Sequence, residues 1–104
     1  MAFTAYHNIT GSTGVDVELI APESNVNTIS SIMITNTHAT ADATVSLFLN
    51  NASAGKKYYI IHTIALPADS SLYLDEKTLS FDNSINGLYL TVGASDTLDV
   101  LISK

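Results

Sequence analysis

The stretch that decides the fold is residues 87–103, GLYLTVGASDTLDVLIS. Apolar side chains occupy every second position in two runs, first from Leu88 to Val92 and then from Leu98 to Ile102. A period of two is typical of β-strands that bury one face. Residues 93–96, between the runs, supply the small and polar side chains that turns favour. The stretch therefore predicts two strands joined by a turn.

The same alternation recurs along almost the whole chain, whereas apolar stripes at helical spacing are nearly absent. A long run from Tyr58 to Leu66 ends at Pro67, which cannot donate a backbone hydrogen bond to a sheet. Seven strands are predicted, and an N-terminal strand would be the eighth. Outside residues 87–103, the residues that share one face of each predicted strand are Phe3, Ala5, His7 and Ile9; Val15, Val17 and Leu19; Ile32 and Ile34; Val45, Leu47 and Leu49; Tyr58, Ile60, His62, Ile64 and Leu66; Leu72 and Leu74.

Short strands at roughly ten-residue spacing, without a crossover helix, favour an all-β fold. We expect one domain over residues 1–104, an antiparallel β-sandwich or jelly roll of seven to eight strands. Residues 1–10 would be either a strand of this domain or an N-terminal arm. Residues 75–86 lack a long alternation, so they are expected to cross between sheets, anchored by Leu79 and Phe81.

Charge and composition exclude several classes of function. The chain has 104 residues, a net charge of −6, four Lys or Arg and no Cys. This charge argues against nucleic acid and anionic membranes as partners, and disulfides or thiolate metal sites are impossible. Residues 1–10 have neither a basic start nor a long apolar block, which predicts a cytoplasmic origin.

No spacing of reactive side chains points to catalysis, a cofactor or a metal. His7, His38 and His62 fall on different predicted elements, and the carboxylates near turns match no calcium-loop spacing. The 12 Ser and 12 Thr include no nucleophile motif. We therefore expect a protein that is not an enzyme and has no catalytic, cofactor-binding or metal-ligating residues.

The second face of the predicted strands carries more large apolar residues than a monomeric sandwich would expose. Such residues either form an oligomer interface, in which Tyr is common, or are buried inside a twisted sandwich. Tyr59 and Ile61 are favoured because their strand is apolar on both faces. The candidate interface residues are Phe48, Tyr59, Ile61, Tyr73, Tyr89 and Leu101. An N-terminal arm would make a second contact through Phe3, Ala5 and Tyr6.

Three segments resemble small virion proteins of tailed bacteriophages. They are residues 66–72 (LPADSSL), residues 87–92 (GLYLTV) and residues 97–103 (TLDVLIS), with residues 32–36 (IMITN) as a further matching segment. In that family an alternating strand, a P-A-D/G-S turn, a second strand, a connection and a closing hairpin follow one another. The resemblance covers residues 29–103.

The resemblance implies a β-sandwich that decorates or cements a capsid as a homo-oligomer, with a trimer expected. Partners would be other copies and virion proteins such as the major capsid protein, and the location would be the virion, assembled in the host cytoplasm. A neck, tail or fibre-attachment component is the alternative within this family. A carbohydrate-binding β-sandwich is the alternative from another class, although such modules usually present Trp and this chain has none.

Overall fold

The computed structural model describes residues 5–10, 16–26, 28–51, 53–75, 80–93 and 96–103. In these residues the chain is all-β and contains no helix that could span a membrane. The strands, in chain order, are β1 (Ala5–Thr10), β2 (Asp16–Ile20), β3 (Ser31–Asn36), β4 (Ala43–Asn51), β5 (Lys56–Leu66), β6 (Ser71–Asp75), β7 (Gly87–Val92) and β8 (Thr97–Ser103). Each predicted alternating run coincides with one of them, although Phe3 and Val15 lie outside the described residues.

The strands form two antiparallel four-stranded sheets, an arrangement consistent with a β-sandwich. Sheet A has the order β1-β8-β3-β6, and sheet B has the order β2-β7-β4-β5. Because β7 and β8 lie in different sheets, the expected closing hairpin is wrong. The turn between them is anchored on β4 instead: Gly93 N donates to Thr44 O (3.1 Å), and Asp96 Oδ2 accepts from Thr44 N (3.0 Å). The chain therefore crosses from one sheet to the other at this point.

One apolar core lies between the two sheets, because both contribute alternate side chains to the same cluster. Nine of its members are completely buried Ile, Leu or Val residues of β3, β4, β7 and β8: Ile32, Ile34, Val45, Leu47, Leu88, Leu90, Leu98, Val100 and Ile102. Full burial of such a side chain is worth about 1.5–3 kcal/mol relative to exposure. This core fixes which face of each strand is turned outward.

Strand β5 departs from simple alternation at two places. Its pairing with β4 shifts between Val45↔Ile64 and Leu47↔Ile61, and again before Phe48↔Tyr59. At the first shift Thr63 has a φ of 55°, and its N–H donates to the Ser46 hydroxyl (2.9 Å). Each extra residue reverses the face on which the following side chains lie. The expectation that Ile60, His62 and Ile64 share one face is confirmed for Ile60 and Ile64, which both pack against the core, and is wrong for His62, which is exposed.

The N-terminal strand belongs to the protein's own sheet. Strand β1 pairs with β8 from Ala5↔Ile102 to Thr10↔Thr97, and Ala5 packs against the core. Of the two interpretations that the sequence left open, residues 5–10 thus take that of a strand within the domain, while a contact of this edge strand with a neighbouring subunit stays a prediction. The arm candidate Phe3 lies outside the described residues.

The connection between β6 and β7 crosses from sheet A to sheet B, as expected. Phe81 packs against the core, and Leu79 lies outside the described residues. The buried side chain of Asn83 ties this connection to the loop after β2: its Oδ1 accepts from Ser24 N and Val26 N (both 2.9 Å), and its Nδ2 donates to Ala21 O (3.0 Å). These bonds satisfy backbone groups that the loop after β2 would otherwise leave unpaired.

Candidate functional site

The outer face of sheet B carries a second small apolar cluster centred on Phe48. This side chain is 0% exposed although it does not belong to the core between the sheets. The rings of Tyr59 and Tyr89 lie 5.3 Å and 6.0 Å from it, centroid to centroid, and Lys57 Nζ lies 4.8 Å from its centroid. Neighbours on the same sheet therefore bury Phe48, so it offers no surface to a partner.

Polar contacts hold in place two of the side chains that cover Phe48, those of Tyr89 and Lys57. The Tyr89 hydroxyl donates to Glu18 Oε2 (2.9 Å), and Lys57 Nζ lies 3.1 Å from Asp16 Oδ2. Thr91 Oγ1 donates to the other oxygen of Asp16 (2.9 Å). Burial, followed by the hydrogen bond to Glu18, raises the pKa of the Tyr89 hydroxyl above its usual value of 10.0. Phe48 is thus covered by side chains of its own sheet.

The edge of sheet B beside this cluster remains partly open. Tyr58 is 53% exposed and Tyr59 47%, and the rings of Tyr59 and His62 lie 4.3 Å apart. Lys56 and Lys57, which precede them on β5, are exposed as well. We call Lys56, Lys57, Tyr58 and Tyr59 the hairpin-end patch, because they lie where β5 begins after the turn from β4.

The outer face of sheet A presents a continuous line of large side chains. Tyr6 is paired with Leu101, Leu101 with Met33, and Met33 with Tyr73, so one residue comes from each strand in the order β1, β8, β3, β6. Tyr6 is 70% exposed and Tyr73 54%, while Leu101 and Met33 are half-buried. With strands about 4.8 Å apart, this apolar row spans roughly 15 Å. It is the longest in-register apolar surface of the described residues.

The residues beside the apolar row are polar or acidic. On one side Asn8 Nδ2 donates to Asp99 Oδ1 (2.7 Å), and the hydroxyls of Thr35 and Ser71 lie 2.8 Å apart. On the other side lies the exposed Asp75. A groove of about 410 Å³ lies along this border, lined by Tyr6, His7, Asn8, Thr35, Asp99 and Leu101. The described outer face of sheet A contains no Lys or Arg.

The six predicted interface residues do not lie on one surface. Tyr73 and Leu101 are on the outer face of sheet A, and Tyr59 and Tyr89 are on that of sheet B. The expectation that Ile61 points away from the core is wrong, because the β5 bulges pair it with Leu47 and turn it inward. Of the arm candidates, Tyr6 joins the apolar row. Met33 was not among the predicted residues, although its position between the buried Ile32 and Ile34 indicates an outward side chain.

The histidines and carboxylates do not assemble a metal site in the described part of the chain. Among those residues no three His, Asp or Glu side chains come together. His38 Nδ1 accepts from Thr40 N and Ala41 N (both 3.1 Å), and Nε2 of His7 is buried without a hydrogen-bond partner. His7 and His38 therefore lie in different surroundings.

A polar cleft of about 390 Å³ lies beside the Asn83 junction. Its lining residues are Glu23, Asn25, Asp82, Asn83 and Ser84. The side chain and the backbone N–H of Ser84 donate to Asp82 and lower the pKa of that carboxyl. Asp82 therefore serves to fix its own turn.

No protein-family model, curated protein or solved structure matches this chain.

Proposed function

We propose that this protein is a non-enzymatic structural component of a tailed-phage virion, a decoration or cement protein that associates as a homo-oligomer on the capsid. The observation that supports this most is the apolar row on the outer face of sheet A. This row, with exposed Tyr6 and Tyr73 at its ends and half-buried Leu101 and Met33 between them, resembles the composition of protein interfaces, where Tyr and Met are enriched. A trimer is the proposed assembly, and the major capsid protein is the proposed partner.

The strand order supports a jelly roll as the finer description of the fold. Consecutive pairs of strands divide between the sheets, β1 and β2, β3 and β4, β5 and β6, β7 and β8, giving 1-8-3-6 and 2-7-4-5. Eight-stranded double-sheet jelly rolls occur in viral capsid and lectin domains. This topology is compatible with the virion role and also with the alternative of carbohydrate binding.

A neck, tail or fibre-attachment component is the second candidate within the virion. Carbohydrate binding is the candidate from another class, and the exposed rings of Tyr58 and Tyr59 favour it because aromatic faces can stack on sugars. A glycan array separates this candidate from the structural role. Binding of a defined glycan that Tyr59→Ala abolishes would replace the proposal by the carbohydrate-binding alternative.

Two measurements on the full chain test the virion role. Sedimentation equilibrium gives the mass in solution, where at least twice the 11.1 kDa of one chain is expected. Peptide mass spectrometry of density-purified particles from lysates of the host that carries the gene should then find this chain. A monomer that is absent from the particles would overturn the proposal.

Matched variants locate the contact that incorporation needs. Tyr73→Asp places a charge in the apolar row, whereas Ala65→Asp places one at an exposed position of β5 outside it. We expect Tyr73→Asp to reduce incorporation and Ala65→Asp to preserve it. Leu90→Asp puts the charge in the core and should prevent folding, which circular dichroism distinguishes from a loss of assembly.

A further inference from the structure

A chemically labile dipeptide lies at the start of β7. Of the eight Asn residues in the chain, Asn86 alone is followed by Gly. A backbone nitrogen can attack the side-chain amide carbon of the Asn that precedes it, and this attack is fastest at Gly because no side chain hinders the approach. Asn is accordingly counted among the thermolabile residues of proteins. Asn86 is therefore the Asn of this chain with the greatest intrinsic tendency to lose its amide.

The fold requires glycine at the second position of this dipeptide. A Cβ atom on Gly87 would lie 2.9 Å from the Ile20 carbonyl oxygen and 3.0 Å from Pro22 Cδ. That oxygen belongs to the main chain of β2, so it cannot move aside as the end of a flexible side chain can. A larger residue at position 87 would strain the contact between β2 and β7. The fold thus keeps an unhindered nitrogen next to Asn86.

Three hydrogen bonds hold Asn86 in the turn before β7. Its backbone N–H and its Nδ2 both donate to Asp82 O, at 3.0 Å and 3.2 Å, and its carbonyl oxygen accepts from Asn83 Nδ2 (3.0 Å). Attack by the Gly87 nitrogen requires rotation about the Cα–Cβ and Cα–C bonds of Asn86. The Nδ2 bond opposes the first rotation, and the Asn83 bond opposes the second. The reaction therefore needs a local opening of this turn.

A carboxylate at position 86 does not fit the closed turn. It has no N–H to donate to Asp82 O, so that bond is lost. Asn86 Oδ1 is buried and has no hydrogen-bond partner among the described residues, and a carboxylate would place negative charge on this oxygen. Buried charge without a compensating partner costs free energy. The carboxylate form therefore favours the open turn.

We infer that Asn86 is a site of spontaneous deamidation controlled by opening of the turn at residues 82–86, and that the product keeps this turn open. The Gly87 nitrogen loses its proton and bonds to Asn86 Cγ, while the Cγ–Nδ2 bond breaks and ammonia leaves. Water then opens the cyclic imide at either carbonyl, which gives aspartate or isoaspartate at position 86. The reaction needs no other reactant, and it does not depend on the proposed virion role.

Peptide mass spectrometry of the full chain, incubated in mildly alkaline buffer, measures the conversion at each Asn. In the chain unfolded by urea, Asn86 should convert faster than every other Asn. In the folded chain it should convert at least about tenfold more slowly, because the open turn is a minor state. Slow conversion of Asn86 in urea would overturn the site. Equal rates in the folded and unfolded chains would overturn its control by the turn.

Matched variants separate opening of the turn from global unfolding. Asn83→Ala removes the bond to the Asn86 carbonyl and should raise the conversion rate of Asn86 in the folded chain by roughly tenfold. Ser24→Ala is the milder variant, for use if circular dichroism shows that Asn83→Ala does not fold; it removes one donor to Asn83 Oδ1 (3.1 Å) and should raise the rate less.

Val45→Ala is the control for global stability. It truncates a completely buried core residue of β4, which lowers the free energy of unfolding without changing a bond of the turn. We expect the conversion rate of Asn86 to stay that of the wild type. Equal acceleration by Val45→Ala and by the Asn83 or Ser24 variant would assign the reaction to global unfolding and overturn the role of the turn.

The effect of the product is tested with Asn86→Asp, which reproduces its aspartate form. This variant should lower the melting temperature by about 5 °C or more. Asn51→Asp is the matched control, because the Asn51 Oδ1 only accepts a hydrogen bond, from Ala54 N (3.1 Å), and a carboxylate can accept it as well. A melting temperature of Asn86→Asp no lower than that of Asn51→Asp would show that the closed turn tolerates the product, which contradicts the inference.

Discussion

The outer faces of the two sheets have similar sequences and different surfaces. Sheet B turns Phe48, Tyr59 and Tyr89 outward, yet Phe48 is 0% exposed because Lys57, Asp16 and Glu18 hold a cover over it. Sheet A turns Tyr6, Leu101, Met33 and Tyr73 outward, and both of its tyrosines are more than half exposed. The difference lies in the neighbouring strands. Exposure on a sheet face depends on what the adjacent strands place beside a residue, not on the alternation of its own strand.

The largest effect that would test this comparison is expected at Phe48. Phe48→Ala removes a completely buried ring, so the free energy of unfolding should fall by about 3–5 kcal/mol in urea titration. Leu101→Ala, on the other outer face, is half-buried and should cost about 1 kcal/mol or less. Equal losses at the two positions would contradict the distinction between a closed face and an open one.

A smaller effect is expected at Gly87, the first residue of β7, which is the strand that carries Tyr89. A Cβ atom there would lie 2.7 Å from Tyr89 Cε1 and 2.9 Å from the Ile20 carbonyl oxygen. Gly87→Ala should therefore cost about 1–3 kcal/mol and displace the Tyr89 ring. Near-ultraviolet circular dichroism reports the displacement. Gly55→Ala, at a φ of 65° with no atom within 4 Å, should destabilise without changing that spectrum.

The contribution of the charged cover can be isolated with a pair of lysines. Lys57→Met keeps an apolar stem over Phe48 but loses the cation–ring contact and the ion pair with Asp16, which should cost about 0.5–1 kcal/mol. Lys56→Met is the matched change on the neighbouring residue, and we expect it to leave the free energy of unfolding unchanged. Urea titration at low and high salt measures both, and an identical result for the two would show that the cover needs no charge.

The smallest expected effect concerns alkaline pH. Since the pKa of Tyr89 is raised in the folded protein, its proton stabilises the fold below pH 10.0, and this contribution is lost as pH rises through the higher folded value. Tyr89→Phe cannot lose that proton, so its free energy of unfolding should decline less between about pH 9 and pH 11. The exposed Tyr58→Phe is the control. A decline as steep as in the wild type would mean that Tyr89 is not linked to stability.

The sequence predicted where the strands lie better than which strands are adjacent in the sheets. Period-two alternation located β2 to β8, because each buries one face in the core, and it left β1 open between a strand and an arm. It placed Ile61 on the wrong face, since the bulges of β5 depend on the contact of Thr63 with Ser46 on another strand. The expected hairpin between β7 and β8 failed for a similar reason: the turn is held by Thr44 on β4.

The candidate site was harder to predict than the fold. Five of the six candidate interface residues lie outside the core, as expected, but alternation could not tell which strands are adjacent. The apolar row exists only because β1, β8, β3 and β6 lie side by side in one register. Met33 enters it through pairing with Leu101 and Tyr73, which are 68 and 40 positions away in the chain.

The irregular course of β5 has a consequence for the edge of sheet B. An eleven-residue strand at a sheet edge leaves a row of backbone donors and acceptors that another molecule could extend into a fibril. This row is interrupted at two bulges, at the left-handed backbone of Thr63 and at the lysines at one end of the strand. The bulges also twist the strand. Natural sheet edges use such features against edge-to-edge pairing, so we expect the same bulges that turn Ile61 inward to disfavour fibril growth along β5.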